Sequence, residues 1–292
     1  MAQADVGAGL AEQLERGEVV HYPVCPFPLP QDDDHHFLLQ QRLAHRAHKN
    51  ISYNPHSGKV GGFLRQPDAS HGTRLRELLA DFSRTTTAWL AGVLPSYARG
   101  WRIDMVSYRP EEEATRKLRW KARNDLLHVD AFPSRPTQGY RILRVFANIN
   151  PTEPRVWVTS EPFARLLDRY GEEAGLPTGS SSLARRVKNG VLGLFQPGGR
   201  RRSVYDEFML RFHDFLKQND RFQERCPKRY WNFQPGSAWM VLTDTASHAV
   251  LRGRFAIEHS YFIAPETLAL PREAPAALLE RACGLPVLQR AA

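Results

Sequence analysis

The sequence predicts an α+β fold, in which a jelly-roll β core is supported by N-terminal helices and carries a helical insert. Three observations predict it. Helical spacing dominates residues 1–99, strand patterns begin at residue 100, and near the C-terminus a short strand, a polar turn, a histidine and a second strand follow one another. Jelly-roll barrels are expected to present a ligand histidine in this way. We expect a single domain over residues 1–292, with the core at 100–265 and a C-terminal tail at 266–292.

The N-terminal layer is predicted from apolar residues at helical intervals. Residues 10–18 and 37–48 have this spacing, and residues 74–94 form a strongly amphipathic pattern that ends before Pro95. A helix of the last kind commonly covers one face of a sheet. Prolines are frequent in residues 22–30, so we expect extended chain there.

The strands of the core are predicted from alternating or β-branched segments bounded by turn residues. These segments are 100–108, 140–149, 238–242 and 254–263. Among them lie two segments with helical spacing, 163–170 and 205–217. We therefore expect a helical insert at about 160–230, which forms a wall of the substrate site.

The tripeptide His128-Val129-Asp130 and the distant His248 form the pattern that indicates chemistry. On a β-strand, side chains at i and i+2 point to the same side, so His128 and Asp130 can reach one metal ion together. A third ligand must come from another strand, and His248 follows the turn at 243–247. Two imidazoles and one carboxylate on one face of an octahedral Fe(II) leave the opposite face open, as in non-haem iron oxygenases.

Arginines on the neighbouring strands are candidates for binding an organic cosubstrate. An oxygenase of this kind uses a 2-oxo acid, whose far carboxylate needs a buried cation, and arginine pairs with carboxylate through two parallel hydrogen bonds. Arg144 is the first choice because it lies on the strand after the first two ligands, between apolar neighbours. Arg254, which opens the last strand, is the second. Arg141 and Arg252 are less favoured, and any of the four could instead solvate a strand end.

Two segments carry a resemblance to a known family. Residues 108–157, which include RNDLLHVDAFPSRP, and residues 234–262, which include WMVLTDTASHAVLRG, resemble the bacterial Kdo hydroxylase family. The resemblance implies an Fe(II)/2-oxoglutarate-dependent dioxygenase with a double-stranded β-helix core and O2 as a cosubstrate. It also implies hydroxylation of carbon 3 of the Kdo sugar in Kdo-lipid A. The family's metal motif falls on His128, Asp130 and His248, whereas its sugar-binding residues are not transferred.

The formal net charge of +9 indicates an anionic partner. Basic residues cluster at 116–123, at 185–188 and at 200–202, and an apolar run at 191–195 separates the last two clusters. Apolar residues flanked by cations are typical of a surface that contacts an anionic bilayer, but the segment 183–202 could also be a solvated loop with its apolar residues packed inward. The sequence contains no recognised nucleic-acid-binding module, so we expect no nucleic-acid partner.

We expect the protein in the cytoplasm, with peripheral contact at the inner membrane. The first residues lack the cationic and then apolar order of a signal peptide. No apolar run approaches the roughly 20 residues that a membrane span needs. The three cysteines are widely spaced, which favours reduced thiols.

Other interpretations of the same residues stay open. A zinc hydrolase would use a similar ligand set, a 2-oxoglutarate oxygenase could act on another small molecule or on a protein, and a basic domain could bind lipid without catalysis. His259 is a rival third ligand, but its place within a strand favours a core histidine. His213 and Asp214 resemble a catalytic pair, but neighbours on a helix point apart. The three glutamates at 111–113 favour an exposed helix start.

Overall fold

The computed structural model describes residues 2–45, 48–116, 118–177 and 202–288. Within these ranges the chain forms two antiparallel sheets with helices packed on their outer faces. The strands are β1 (Val20–Tyr22), β2 (Ile51–Asn54), β3 (Lys59–Gly61), β4 (Arg102–Arg109), β5 (Arg141–Asn148), β6 (Arg155–Pro162), β7 (Arg229–Phe233), β8 (Ala238–Leu242), β9 (Ala246–Arg252) and β10 (Ala256–Ile263). The helices are α1 (Ala2–Glu15), α2 (Asp32–Leu39), α3 (Ala69–Val93), α4 (Pro95–Ala98), α5 (Phe163–Tyr170), α6 (Val204–Gln218), α7 (Asp220–Arg225) and α8 (Pro275–Cys283).

The strand order brings distant parts of the chain together. The larger sheet has seven strands in the order β1-β8-β5-β10-β4-β2-β3, and the smaller has three in the order β7-β6-β9. Every paired strand runs antiparallel to its neighbour. In the larger sheet β5 and β10 occupy the middle, and both are buried along almost their whole length. On each face of the sheet, the side chains of β5 and β10 therefore project into the same space.

Side-chain alternation along β5 separates the apolar core from the site. Leu143 and Val145 point to the outer face, where α1 and α3 cover them in the largest apolar cluster. Arg144 and Phe146 point the other way and line the cavity between the two sheets. Because strand side chains alternate with a period of two, one strand supplies both the packing face and the functional face.

Aromatic rings fill one end of the space between the sheets. Phe233 of β7 stacks on Trp239 of β8 with centroids 3.9 Å apart, and Phe146 stacks on the same indole at 5.1 Å. Trp157 of β6 meets Phe146 edge to face at 4.8 Å. Offset-stacked and edge-to-face pairs add stability beyond area burial, so this cluster fixes the separation of the two sheets. Phe146 and Trp157 also line the cavity, which begins where the aromatic cluster ends.

The helices after β6 pack against the smaller sheet and close one side of the cavity. Helix α6 begins at a capping box, in which Ser203 and Asp206 bond each other's backbone and side chain. The carboxylate of Asp206 also accepts from the backbone N–H of Thr137 at 2.8 Å and of Gln138 at 3.1 Å. One carboxylate therefore both starts α6 and ties it to the loop before β5.

The predicted mixture of helices and antiparallel strands is confirmed, and the predicted strands of the core are present within two residues at each end. The helix predicted at 37–48 is wrong, because α2 ends at Leu39 and Leu43 instead bridges Phe63 as an isolated strand pair. Six strands were not predicted, namely β1, β2, β3, β6, β7 and β9. The first three extend the larger sheet into the N-terminal layer: β2 and β3 form a local hairpin, whereas β1 pairs with β8 and β2 with β4, far along the chain, where pairing leaves no local signal. No helix in the described ranges is both long enough and apolar enough to cross a membrane.

Candidate metal centre and its cavity

Backbone pairing sets the predicted ligands opposite one another. His128 and His248 exchange two backbone hydrogen bonds across an isolated antiparallel bridge, at 3.1 and 2.9 Å. The N–H of Asp130 donates to the carbonyl of Thr243 at 2.7 Å, in the turn that precedes β9. The three side chains therefore project from adjacent strand segments into one cavity.

Each of the two imidazoles is oriented by the carbonyl two residues before it. His128 Nδ1 donates to the carbonyl of Leu126 at 2.6 Å, and His248 Nδ1 donates to that of Ala246 at 2.9 Å. A carbonyl oxygen can only accept, so Nδ1 carries the hydrogen and Nε2 keeps its lone pair. Backbone partners of this kind commonly fix the tautomer and ring orientation of metal-binding histidines.

Burial and local charge set the protonation of the three side chains. Burial lowers the pKa of His128 well below its usual value and lowers that of His248. Burial by itself would raise the pKa of Asp130, but the charge of Arg144 holds it well below the ordinary value. The imidazoles are therefore neutral and the carboxylate is ionised at neutral pH, which is the state that binds metal.

The donor atoms of His128 and Asp130 lie close enough to share one divalent cation, and the ring of His248 lies beside that of His128 with centroids 4.8 Å apart. His128 Nε2 lies 3.5 Å from Asp130 Oδ1. The other oxygen, Oδ2, is buried and accepts no hydrogen bond from the described residues, although Arg144 Nη2 lies 2.9 Å away as an ion-pair partner. A buried carboxylate oxygen without a hydrogen bond is costly, and a cation bound between it and the two Nε2 atoms would satisfy all three.

A cavity of about 510 Å³ opens from this centre, which is the size of a typical small-molecule site. Its wall is strongly charged. The cationic side chains are Lys49, Arg109, Lys121, Arg135, Arg144, Arg155, Arg202 and Lys217. The carboxylates are Asp104, Asp130, Asp214 and Glu258.

Arg144, the first-choice arginine, lies beside the metal centre. Its Nη1 donates to Glu258 Oε1 at 2.6 Å, while Nη2 faces Asp130. Sequence reasoning missed Arg109 and Arg155, which line the cavity too: Arg109 pairs with Glu258 at 3.0 Å, and Arg155 with Glu113 at 3.4 Å. No local signal marks them, since Arg109 ends β4 and Arg155 opens β6.

The charges of Arg109, Arg144 and Arg155 are balanced by carboxylates before a ligand binds. Three guanidinium groups face three carboxylates, namely Asp130, Glu113 and Glu258. A divalent metal would leave an excess of two positive charges, which a dianion such as a dicarboxylate would neutralise. The arrangement can therefore hold a metal ion and a dicarboxylate together.

The other arginines named from the sequence do not line the cavity. Arg254, the second choice, stacks over the ring of Phe255 at 3.9 Å. Arg141 is fully buried on the opposite face of β5, where its Nε donates to Asp244 at 2.7 Å. Arg252 is exposed at the end of β9. The structure thus brings one of the four to the metal centre.

His213 was set aside from the sequence, yet the structure places it at the centre. One of its ring nitrogens lies within 4.8 Å of donor atoms of His128 and Asp130. Its Nδ1 donates to the carbonyl of Val129 at 2.8 Å, so Nε2 is again the unprotonated nitrogen. Burial, followed by the charge of Lys217, lowers the pKa of His213 to about 4, and the imidazole is neutral. His213 and Asp214 both line the cavity.

Two further interpretations are decided by the structure. His259 is fully buried and bonds the hydroxyl of Ser83 at 2.7 Å, which confirms that it is a core histidine. The expectation that the glutamates at 111–113 are exposed is wrong: Glu113 is buried and pairs with Arg155, and Glu111 and Glu112 are half-buried. The basic and apolar segment at 183–202 lies outside the described residues except for Arg202, whose guanidinium donates to the carbonyl of Pro133.

The chain is similar to one family of known proteins over almost its whole length. The model of the 3-deoxy-D-manno-oct-2-ulosonic acid (Kdo) hydroxylase family matches residues 1–286. A crystal structure of the Kdo hydroxylase KdoO, a non-haem Fe(II)- and α-ketoglutarate-dependent dioxygenase in complex with α-ketoglutarate and Fe(III), is similar at 31% identity and a TM-score of 0.86. The cobalt(II) complex of KdoO has 32% identity and the same TM-score. Each match covers 99% of this chain and 94% of the other. No curated protein matches the chain.

Proposed function

The chain belongs to the Kdo hydroxylase family, and from this premise we propose that it hydroxylates carbon 3 of the Kdo sugar in Kdo-lipid A. It is an Fe(II)- and 2-oxoglutarate-dependent dioxygenase. The observation that carries the proposal is that His128 and His248, each with a free Nε2, line the same cavity as the unsatisfied carboxylate oxygen of Asp130 and several arginines.

His128, Asp130 and His248 would hold Fe(II). The iron, bound with 2-oxoglutarate, supplies the activation of O2 for insertion into a C–H bond. The protein's part is to present three donor atoms from one side, so that the remaining positions face the cavity. The carbonyls of Leu126 and Ala246 keep both imidazoles in the tautomer with Nε2 free.

Arg144 is the residue that we propose for the far carboxylate of 2-oxoglutarate. It is the cavity arginine in direct contact with the carboxylate of the metal centre, and Arg109 and Arg155 flank it through Glu258 and Glu113. Guanidinium groups keep their charge when buried, so they can bind a dicarboxylate away from water. Arg254 is no longer proposed for this role, because it lies outside the cavity.

For the fold, we propose that the two facing sheets form a double-stranded β-helix. Support comes from the antiparallel pairing throughout, from the site between the sheets, and from the likeness to KdoO over almost the whole chain. The proposed ligands His128 and His248 lie on neighbouring segments bridged by two backbone hydrogen bonds.

The substrate contains Kdo. We propose in addition that this sugar is presented to the enzyme on lipid A. The excess of cationic over acidic side chains in the cavity suits an anionic sugar. A cytoplasmic location and peripheral contact with the inner membrane remain proposals, motivated by the basic and apolar segment at 183–202.

Cosubstrate consumption tests the proposed function. Purified protein with Fe(II) should convert 2-oxoglutarate to succinate faster with Kdo-lipid A than with lipid A that lacks Kdo, and the product should gain the mass of one oxygen atom. The Asp130→Ala protein, loaded with the same iron concentration, is the matched control. Turnover that ignores the Kdo sugar in the parent protein would contradict the proposed substrate.

A further inference from the structure

Most charged side chains in the cavity already have a partner of opposite charge. The pairs are Arg135 with Asp104, Lys121 with Asp214 at 2.9 Å, Arg144 with Asp130 and Glu258, Arg109 with Glu258, and Arg155 with Glu113. Two lysines differ. Neither Lys49 nor Lys217 has a carboxylate of the described residues within ion-pair distance, and both line the cavity.

Lys49 enters the cavity from the segment before β2. Its own carbonyl accepts from Arg116 Nη1 at 3.0 Å, and the same guanidinium donates to the carbonyl of His48. The Arg116 side chain is 6% exposed, so it is a buried anchor for this stretch of backbone. The ammonium of Lys49 has no hydrogen-bond partner among the described residues. The anchored backbone thus presents a half-buried ammonium to the cavity.

Lys217 approaches from α6 and is 4% exposed. Its ammonium donates to the carbonyls of Lys121 at 3.1 Å and Arg123 at 2.7 Å. An ammonium has three N–H donors, so these two bonds leave one for a ligand. Two neutral carbonyls orient the charge of Lys217 but do not cancel it.

The two lysines act on each other and on the metal centre. After burial, the charge of Lys49 is the largest cause that lowers the pKa of Lys217, which falls to about 8. The carboxylate of Asp130 opposes the lowering in both lysines. The ammonium groups therefore lie within electrostatic reach of one another and of the metal-binding carboxylate. Two like charges that share a cavity without a counter-ion favour the binding of an anion.

We propose that Lys49 and Lys217 together bind the carboxylate of the sugar substrate beside the metal centre. The inference rests on the proposed function. In a 3-deoxy-2-ulosonic acid the carboxyl carbon is carbon 1, two bonds from carbon 3. A carboxylate held by these lysines would therefore keep carbon 3 close to the metal and fix which face of the sugar it meets. The far carboxylate of 2-oxoglutarate is the other carboxylate that these two lysines fit.

Steady-state kinetics and calorimetry separate the two sources. The test compares Lys49→Met and Lys217→Met with Lys228→Met, a control outside the cavity whose ammonium donates to the carbonyl of Glu224. The KM is measured for Kdo-lipid A and for its Kdo methyl ester, which lacks the negative charge. The Kd of 2-oxoglutarate is measured by calorimetry on Co(II)-loaded protein without O2. Thermal melts report folding, and if Lys217→Met does not fold, Lys49→Met decides alone.

We expect each cavity variant to raise the KM for Kdo-lipid A roughly tenfold to a hundredfold, as for a lost charge-assisted hydrogen bond. The methyl ester should show an equally raised KM in the parent, with little further change in the variants. The Kd of 2-oxoglutarate and the Lys228→Met protein should be unchanged.

Three outcomes overturn the inference in different ways. An unchanged KM for Kdo-lipid A in Lys49→Met refutes it and leaves the proposed function intact. A weaker 2-oxoglutarate Kd with an unchanged sugar KM assigns the lysines to the cosubstrate instead. A parent protein without Kdo-dependent turnover shows that the proposed function itself has failed, and the inference fails with it.

Discussion

Replacing Arg144 by Met should weaken 2-oxoglutarate binding far more than replacing Arg141, although the two lie on the same strand. Arg144 faces the cavity and contacts Glu258 at 2.6 Å and Asp130 at 2.9 Å. Arg141 faces away and pairs with Asp244 at 2.7 Å. Both variants remove one partner of a buried ion pair, so each should lose about 3–5 kcal/mol of unfolding free energy.

Ligand affinity should separate the two variants. A charge-assisted hydrogen bond contributes about 1.5–3 kcal/mol, so Arg144→Met should raise the Kd of 2-oxoglutarate roughly 10- to 150-fold. Arg141→Met should leave it within about twofold, since nothing in the cavity changes. The Kd is measured by calorimetry at saturating Co(II), because loss of Arg144 also leaves Asp130 without its cation.

Urea unfolding of both proteins supplies the matched stability measurement. An equal loss of 2-oxoglutarate affinity in both variants would mean that the effect comes from a loosened β5 rather than from a contact. An unchanged Kd in Arg144→Met would refute the assignment and favour Arg109 or Arg155.

Three further predictions follow from the site and the charge pattern. Replacing His128, Asp130 or His248 by Ala should abolish Co(II) binding and hydroxylation, and full activity of Asp130→Ala would refute the metal assignment. Burial lowers the pKa of His259 to about 3, whereas the ordinary value for histidine is 6.5. Between these two pH values the unfolded chain binds a proton at this residue and the folded chain does not. The free energy of unfolding should therefore decrease by about 1.4 kcal/mol for each unit by which the pH is lowered within that window. Urea unfolding of the His259→Asn protein should show a smaller decrease per pH unit. Neutralising the arginines at 200–202 should reduce sedimentation with anionic liposomes at low salt without changing the iron content; equal sedimentation would leave the segment without a membrane role.

The residues that we propose as metal ligands could be singled out because their signal is local. Two of them lie two residues apart on an extended segment, and the third lies near the start of β9, just after the turn at 243–245, so a period of two and a turn signal are sufficient. The face of Arg144 followed from the same alternation along β5. Its partner Glu258 did not, because the pairing of β5 with β10 joins residues more than 100 positions apart.

The rest of the site depends on tertiary contacts that no short pattern records. His213 lies on a helix whose position is fixed by the tie between Asp206 and the loop before β5. Lys49 lies in a segment for which no helix or strand was predicted. Its backbone carbonyl accepts a hydrogen bond from Arg116, which follows β4 in the chain. Each was undistinguished in the sequence because its neighbours in space come from other elements.

The backbone bridge between His128 and His248 also bears on how the chain tolerates changes in length. It closes the long connection that carries α5 and α6, so the spacing of the two histidines is set by two backbone hydrogen bonds and by the pairing of β9 with β6. Loop-closure entropy grows only with the logarithm of length, and even a doubled connection would cost about 0.6 kcal/mol more. Insertions and deletions between the elements of this connection can therefore reshape the cavity wall while the metal geometry is retained. The loops of the cavity wall are thus free to change in length while the two histidines keep their spacing.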